Sequence, residues 1–404
     1  MKQNFTHLTV LVLALLFTSC SKDKDESSPI EIALQDKYEV ATFAVLNINA
    51  SANANNPTYE WIMTKNPVDN TIDSLMGTTK DLRFITAYPG AYELTLNVKE
   101  GTKISSKKTM VNVTNEAANF NPYITSIFDF SPAPGMFANE LFKTGNTKVD
   151  VMKTALGRIN ETSVGYQLDL GGFGGSIVVG FDHTVINVAG QKDLRLYGGI
   201  LTDKANPPAP GLIYVAYDKN KNGKPDEDEW YEIIGSLHAK STTIKGFKIT
   251  YHKPANGKPL VAAGPNDPFV DREHIFCENN QGASYYLPRP KVKKEFFPAW
   301  LSETSVVFEG IKFNVNFAPA RANQTTLFNF DIPEWGYVNA ADPDIDLDWA
   351  VDKNGNKANL PGIDFIKIVN CVSEPMGLCQ QQSSMATRFA GAADLHLLKK
   401  YNLR

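Results

Sequence analysis

From Ile30 to Thr114, apolar and polar residues alternate in short runs such as Tyr38-Glu39-Val40-Ala41-Thr42-Phe43, Thr58-Tyr59-Glu60-Trp61-Ile62-Met63, Ala91 to Val98 and Thr109 to Val113. A period of two sends one set of side chains to a core and the other to solvent. Turns containing Pro, Asn, Asp and Gly separate the runs, so the segment reads as a β-sandwich with Trp61 as its core anchor. Asn115 to Pro122 is a polar connector. Beyond about Ile124 short β runs recur at Val164–Leu170, Ser176–Phe181, Asp193–Tyr197, Gly211–Tyr217, Phe247–Tyr251, Thr304–Phe308, Ile311–Phe317 and Ile363–Val369, with no convincing amphipathic helix between them. The pattern predicts an all-β chain: an immunoglobulin-like sandwich over 30–114, then a larger β-sandwich or jelly roll over 123–404. No repeat of fixed period is visible, which disfavours a propeller.

The first apolar run is of a different kind. Met1-Lys2 give a positive start, Leu8 to Phe17 are apolar, and Leu16-Phe17-Thr18-Ser19-Cys20 places small residues ahead of a cysteine. The run is too short to span a bilayer, so 1–19 read as a signal peptide cleaved before a lipidated Cys20. An ordinary signal peptide with an incidental cysteine is the alternative. Ser21 to Ser28 are charged and serine-containing, so 20–29 form a solvated tether. This tether resembles the acidic export signal of Bacteroidota lipoproteins, which implies an outer-membrane anchor facing the cell exterior; a plain linker is the other reading.

Composition narrows the class. Among 404 residues, 21% are charged and 11% aromatic, with a net charge of -4. That supplies real cores and no basic excess, which argues against nucleic-acid binding. After Cys20 only Cys277, Cys371 and Cys379 remain, without zinc-type spacing. Cys371 and Cys379 are near enough to close a small disulfide loop; buried or free thiols are the alternative.

The sharpest motif runs from Asp218 to Glu229, with Asp218, Asn220 and Asn222 at positions one, three and five, Gly223 at six and Glu229 at twelve. This is the spacing of a twelve-residue calcium loop, in which Lys224 offers its carbonyl and Asp226 binds directly or through water. Its flanks, Leu212–Tyr217 and Trp230–Ile234, read as strands, so the expectation is a Ca2+ loop set in a β-hairpin. Two asparagines in place of carboxylates imply weak affinity, on the order of 0.1 to 1 mM. An acidic, solvated Asn-Gly hairpin tip is the alternative.

Asp342 to Trp349 would place Asp344, Asp346 and Asp348 on one face of an extended strand and Ile345, Leu347 and Trp349 on the other. A solvated face over a core face explains this better than a metal site. Leu170-Gly171-Gly172-Phe173-Gly174-Gly175-Ser176 lacks the lysine of a P-loop and reads as close backbone packing. His183, beside Asp182, and His274 sit in no catalytic motif and are expected to be structural or surface residues. Exposed rings are the remaining candidates for ligand binding, with Tyr286, Trp300 and Trp335 foremost.

Tyr59-Glu60-Trp61 and Tyr88-Pro89-Gly90 through Val98 resemble a PKD-like domain, without that family's glycine- and aspartate-rich run after the tryptophan. Leu170 to His183, the acidic loop running into Trp230-Tyr231-Glu232, and Leu360 to Ile368 are similar to Bacteroidota cell-surface lipoproteins that join a PKD-like domain to a β-rich domain. The resemblance implies association with TonB-dependent uptake, including that of corrinoids, and because the chain shows no familiar catalytic motif the expectation is a non-enzymatic protein that captures a nutrient such as a corrinoid or glycan. The resemblance supplies no motif that assigns a reaction. A glycan-active hydrolase, with a carboxylate pair brought together only by the fold, is one competing reading; an adhesion or structural surface protein is another.

Overall fold

The computed structural model describes residues 29–403 apart from 69–72, 117–118, 160–165, 189, 200–207, 265–266, 291–294, 315–317, 322–323, 330–331 and 374–385. The segment expected to be a signal peptide, Cys20 with most of the expected tether, and Cys379 therefore lie outside the described residues. The chain is nearly all β, as its alternation implies.

The N-terminal unit is an immunoglobulin-like sandwich. One sheet orders Lys37–Ala41, Lys103–Thr114, Gly90–Glu100, Thr58–Lys65 and Ser74–Gly77, with its first pair parallel. Leu46–Ile48 and Leu82–Phe84 pair opposite it. Alternate residues of the long strands, Leu94, Leu96 and Val98, point inward with Val111 and Phe84 around Trp61, which is fully buried. The Trp61 indole donates to the Thr79 carbonyl at 3.1 Å, so its one polar atom is satisfied inside the core.

Beyond the connector, a six-stranded antiparallel sheet runs Ser126–Ser131, Ser176–Ile186, Gly362–Asn370, Gly211–Ala216, Trp230–Ile233 and Ala350–Val351. A four-stranded sheet of Leu168–Asp169, Arg388–Asp394, Leu194–Gly198 and Asp344–Ile345 shares its core through Ile177, Val179, Ile366, Leu194, Leu196 and Phe389. The other face of the larger sheet is also covered: Leu212 packs with Phe313, Tyr337 and Cys371. Burial on both faces explains why Ser176 to Phe181 is a continuous buried run rather than an alternating one.

The two largest departures from the sequence expectation are a helix and a separate sheet. Lys148–Ile159 is an α-helix whose Val151, Ala155 and Ile159 enter the sandwich core at i, i+4 and i+8. Asp150 accepts from the Thr147 amide and hydroxyl while its own amide donates to the Thr147 hydroxyl, capping the helix start. The second feature is a five-stranded sheet built from Ile244–His252, Ala262–Gly264, Asp267–Asn279, Ser284–Pro290 and Ser305–Lys312, with its own core. The glycine-rich loop joins this sheet to the sandwich. Gly171 (φ +72°) and Gly175 pass so close to Ala133 and Leu170 that a Cβ would lie 1.9 and 1.7 Å from their carbonyl oxygens. That approach lets Phe173 reach Phe247, ring centroids 4.8 Å apart.

Candidate functional site

The inserted sheet has one buried face and one open face. Tyr251, Cys277 and Tyr285 are register partners pointing into the core. The next register row, His252, Phe276 and Tyr286, must therefore point outward. The His252 and Phe276 ring centroids are 5.4 Å apart, and those of Phe276 and Tyr286 are 5.2 Å apart. Three rings thus form a continuous row across three strands, with Tyr286 39% exposed.

Polar groups edge this row. Glu278, one step along the same face, accepts from His252 at 2.9 Å. Lys258 holds its ammonium 4.9 Å from the Tyr286 ring centre, a cation–π position, and donates to the Glu273 carbonyl. Exposed Leu260 and Val307 belong to the same five-stranded unit. An apolar strip with a donor and acceptor at its margins is the chemistry of a site for a ligand having both a hydrocarbon face and hydroxyl or amide groups.

The other ring candidates are elsewhere. Trp300 is packed on the sandwich core between Phe130 and Phe142, with centroids 6.2 and 6.1 Å away. Trp335 is half-buried against Trp349 at 4.6 Å, and Lys192 lies 3.6 Å over the Trp349 ring. Tyr286 alone of the three belongs to the open-face row. His252 and Phe276 were missed because they are 24 residues apart and only strand pairing unites them; the Thr250/His252 and Phe276/Glu278 alternation carried the signal.

The acidic loop connects the strand ending at Ala216 to the strand starting at Trp230, as a β-hairpin. Asp218 accepts from the amides of Asn222 and Gly223 at 3.1 and 2.8 Å, and Asn220 accepts from the Asn222 amide at 3.0 Å. The Asn222 side-chain oxygen accepts from the Lys224 amide at 2.7 Å. Both asparagine side chains donate to one Asp226 oxygen, at 2.6 and 2.8 Å. Glu229, 2% exposed, accepts from the Lys219 and Asp226 amides. Asp218, Asn220, Asn222, Asp226 and Glu229 are thus linked in one turn, and carboxylate and amide oxygens are the donor set a hard cation takes. Among the described residues no three carboxylate, imidazole or thiol groups converge at metal-binding spacing.

The second acidic stretch is not extended throughout: Asp344–Ile345 is a strand, and Leu347–Trp349 is a 3-10 turn capped by Asp346. Its carboxylates have local partners. Asp344 takes a bidentate bond from Arg195 at 2.7 and 2.8 Å, and Asp348 pairs with Lys357 at 3.3 Å. Ile345 and Leu347 are buried, as the alternation predicts.

Of the histidines, His274 is buried, and burial together with Arg289 and Lys258 pulls its pKa down to about 3, so it is neutral near pH 7. Burial displaces the carboxyls of Asp193 and Asp346 upward and pushes two others up to about 6: Asp169, which accepts from the Gly171 amide, and Asp364, which accepts from Thr184 and the Asp218 amide. Asp169 and Asp364 are each tied into a turn. Cys277 and Cys371 are buried free thiols, raised by desolvation.

No family model and no curated protein matches the chain. Among solved structures it is similar to a PKD domain from human KIAA0319 (16% identity, 25% of this chain, 96% of that one, TM-score 0.21). It is also similar to three N-terminal domains of the bacteriophage RB49 highly immunogenic outer capsid protein (10% identity, 51% of this chain, 54% of that one, TM-score 0.16). A SusE-like protein matches at 9% identity over 90% of this chain and 96% of that one, with TM-score 0.20.

Proposed function

We propose that this chain is a lipid-anchored protein of the outer membrane, displayed on the cell surface, that captures a nutrient ligand without transforming it and serves a TonB-dependent transporter. The open-face row of His252, Phe276 and Tyr286 carries the reading. Rings held side by side on a rigid sheet offer stacking area at low entropic cost, and the Glu278 and Lys258 margins suit the hydroxyls of a glycan or the amides of a corrinoid. Among the described residues no helix is long and apolar enough to cross a membrane, so attachment in this reading rests on the lipidated Cys20.

The acidic loop adds a cation to the proposal. Asp218, Asn220, Asn222, Asp226, Glu229 and the Lys224 carbonyl would hold Ca2+, which would brace the hairpin between Gly211–Ala216 and Trp230–Ile233.

The test is a binding screen of the mature protein against glycans and corrinoids, with product analysis of every ligand that binds. Capture with the ligand recovered intact supports the proposal. Hydrolysis of a glycan, lost on removing one carboxylate, would replace it with the hydrolase reading. In cells, Cys20→Ala should release the protein from the membrane fraction; retention of that variant would contradict the lipid anchor.

A further inference from the structure

His183 lies where the two halves of the molecule meet. Its ring is fully buried, with Nδ1 2.8 Å from an Asp182 oxygen and Nε2 2.9 Å from an Asp394 oxygen. Phe43 of the N-terminal sandwich meets the ring edge-on at 5.6 Å, Phe120 of the connector stacks on it at 5.1 Å, and Phe181 of its own strand stands at 5.6 Å. One side chain therefore touches the N-terminal unit, the connector, the six-stranded sheet and the C-terminal segment. Around it, Phe43, Ala87, Ile186 and Leu397 form a small apolar core shared by both halves, with Ile85, Tyr88, Val188 and Tyr401 at its edge.

The hydrogen bonds dictate the charge. A carboxylate only accepts, and a neutral imidazole has one N–H and one lone pair. Two carboxylates facing both nitrogens are satisfied together only by the imidazolium; in the neutral ring one lone pair would point at a carboxylate, either the fully buried Asp394 or Asp182, whose side chain reaches solvent while the ring does not. The carboxylates are themselves fixed. Asp182 accepts from the Asn121 amide of the connector, and Asp394 accepts from the His396 and Leu397 amides at the start of the short C-terminal helix Leu395–Lys400, which it caps.

We propose that the junction between the N-terminal sandwich and the following β-unit is a proton-dependent lock, closed by the His183 imidazolium bridging Asp182 and Asp394. The other charged groups around it are Asp364, which favours the cation, Lys400, whose ammonium lies 5.1 Å from the Phe43 ring, and the His396–Asp193 pair at 2.8 Å behind the helix start. Burial alone would lower the His183 pKa, but its bonds to Asp182 and Asp394 outweigh burial and raise it. A raised pKa means the lock's stabilisation is complete below the unfolded value of about 6.5 and is lost as pH climbs through the folded value. Mild acid closes the junction and alkali loosens it.

The imidazole resonances of the full mature chain, titrated by NMR, read the charge of His183, and amide exchange of the segment around Asn121 reads the junction. The lock requires His183 to titrate above about 6.5, and exchange at the junction, corrected for intrinsic rates, to rise at least about tenfold between the pH units either side of that titration. The rise should vanish in His183→Gln, which cannot titrate. A His183 pKa at or below the ordinary value overturns the proposal even if the variant does not fold. So does a rise in exchange that persists unchanged in His183→Gln.

Discussion

Asp364 accepts the backbone amide of Asp218 at 2.7 Å, so a side chain on the strand Gly362–Asn370 fixes the first residue of the acidic loop. Asp364 also takes the Thr184 hydroxyl at 2.6 Å. The hairpin is thereby moored to the sandwich at its entry, while Glu229, buried at its exit, ties Lys219 to Asp226. A loop held at both ends presents its oxygen atoms with little left to order on binding a cation.

If Ca2+ occupies this loop, it should raise the melting temperature. A ligand at tenfold above its Kd stabilises the native state by about 1.4 kcal/mol. Asp218→Ala together with Glu229→Ala should remove the shift at millimolar Ca2+ while leaving the far-ultraviolet dichroism of the β fold. A calcium titration without any shift would leave the loop as an acidic hairpin tip.

Asp169 gives the stability a pH dependence whose sign follows from its environment. Burial pushes its carboxyl up to about 6, against the Gly171 amide and the nearby Arg388. Between the ordinary value near 3.9 and about 6, the folded chain keeps a proton that the unfolded chain has lost. This group therefore makes stability fall as pH rises through that window. Asp169→Asn keeps an acceptor for the Gly171 amide without the charge, so it should flatten that slope and raise the melting temperature at pH 7. Thermal melts of both proteins across the window check it; an unchanged slope would refute the assignment.

The glycine-rich loop should resist even the smallest side chain. Gly175→Ala would set a methyl 1.7 Å from the Leu170 carbonyl oxygen, and backbone must move to relieve it. Overpacking of this kind costs about 1–3 kcal/mol, and because Phe173 shares this loop, the loss should reach the inserted sheet. Chemical denaturation of Gly175→Ala beside Gly223→Ala, at a φ +72° turn open to solvent, separates crowding from backbone strain. Equal losses in the two variants would contradict the crowding account.

How much was legible beforehand depended on whether partners were close in sequence. Trp61 and the alternating strands around it announced the N-terminal sandwich, because a half-buried sheet writes its period directly into the chain. The Asp218–Glu229 spacing likewise lies in one turn. The Lys148–Ile159 helix was overlooked: its inward residues Val151, Ala155 and Ile159 are few, and Lys153, Thr154, Gly157 and Arg158 stand between them. His183 and Asp182 are neighbours in sequence, but Asp394 lies 211 residues away and only the fold brings it near. The aromatic row is of the same kind. Trp300 and Trp335 looked as promising as Tyr286 in sequence, and packing against Phe130 and Trp349 is what separates them.

The central claim is that the open face of the inserted sheet binds a ligand through its rings. The most direct measurement is calorimetric titration of the mature protein with the best ligand from a glycan and corrinoid panel, repeated with Tyr286→Ala and Phe276→Ala. Leu75→Ala, an exposed change on the N-terminal unit, serves as the control. Losing a stacked ring should cost at least about 1.4 kcal/mol, a tenfold weaker Kd, with Leu75→Ala unchanged and the ligand recovered intact. Wild-type affinity in both ring variants would contradict the account.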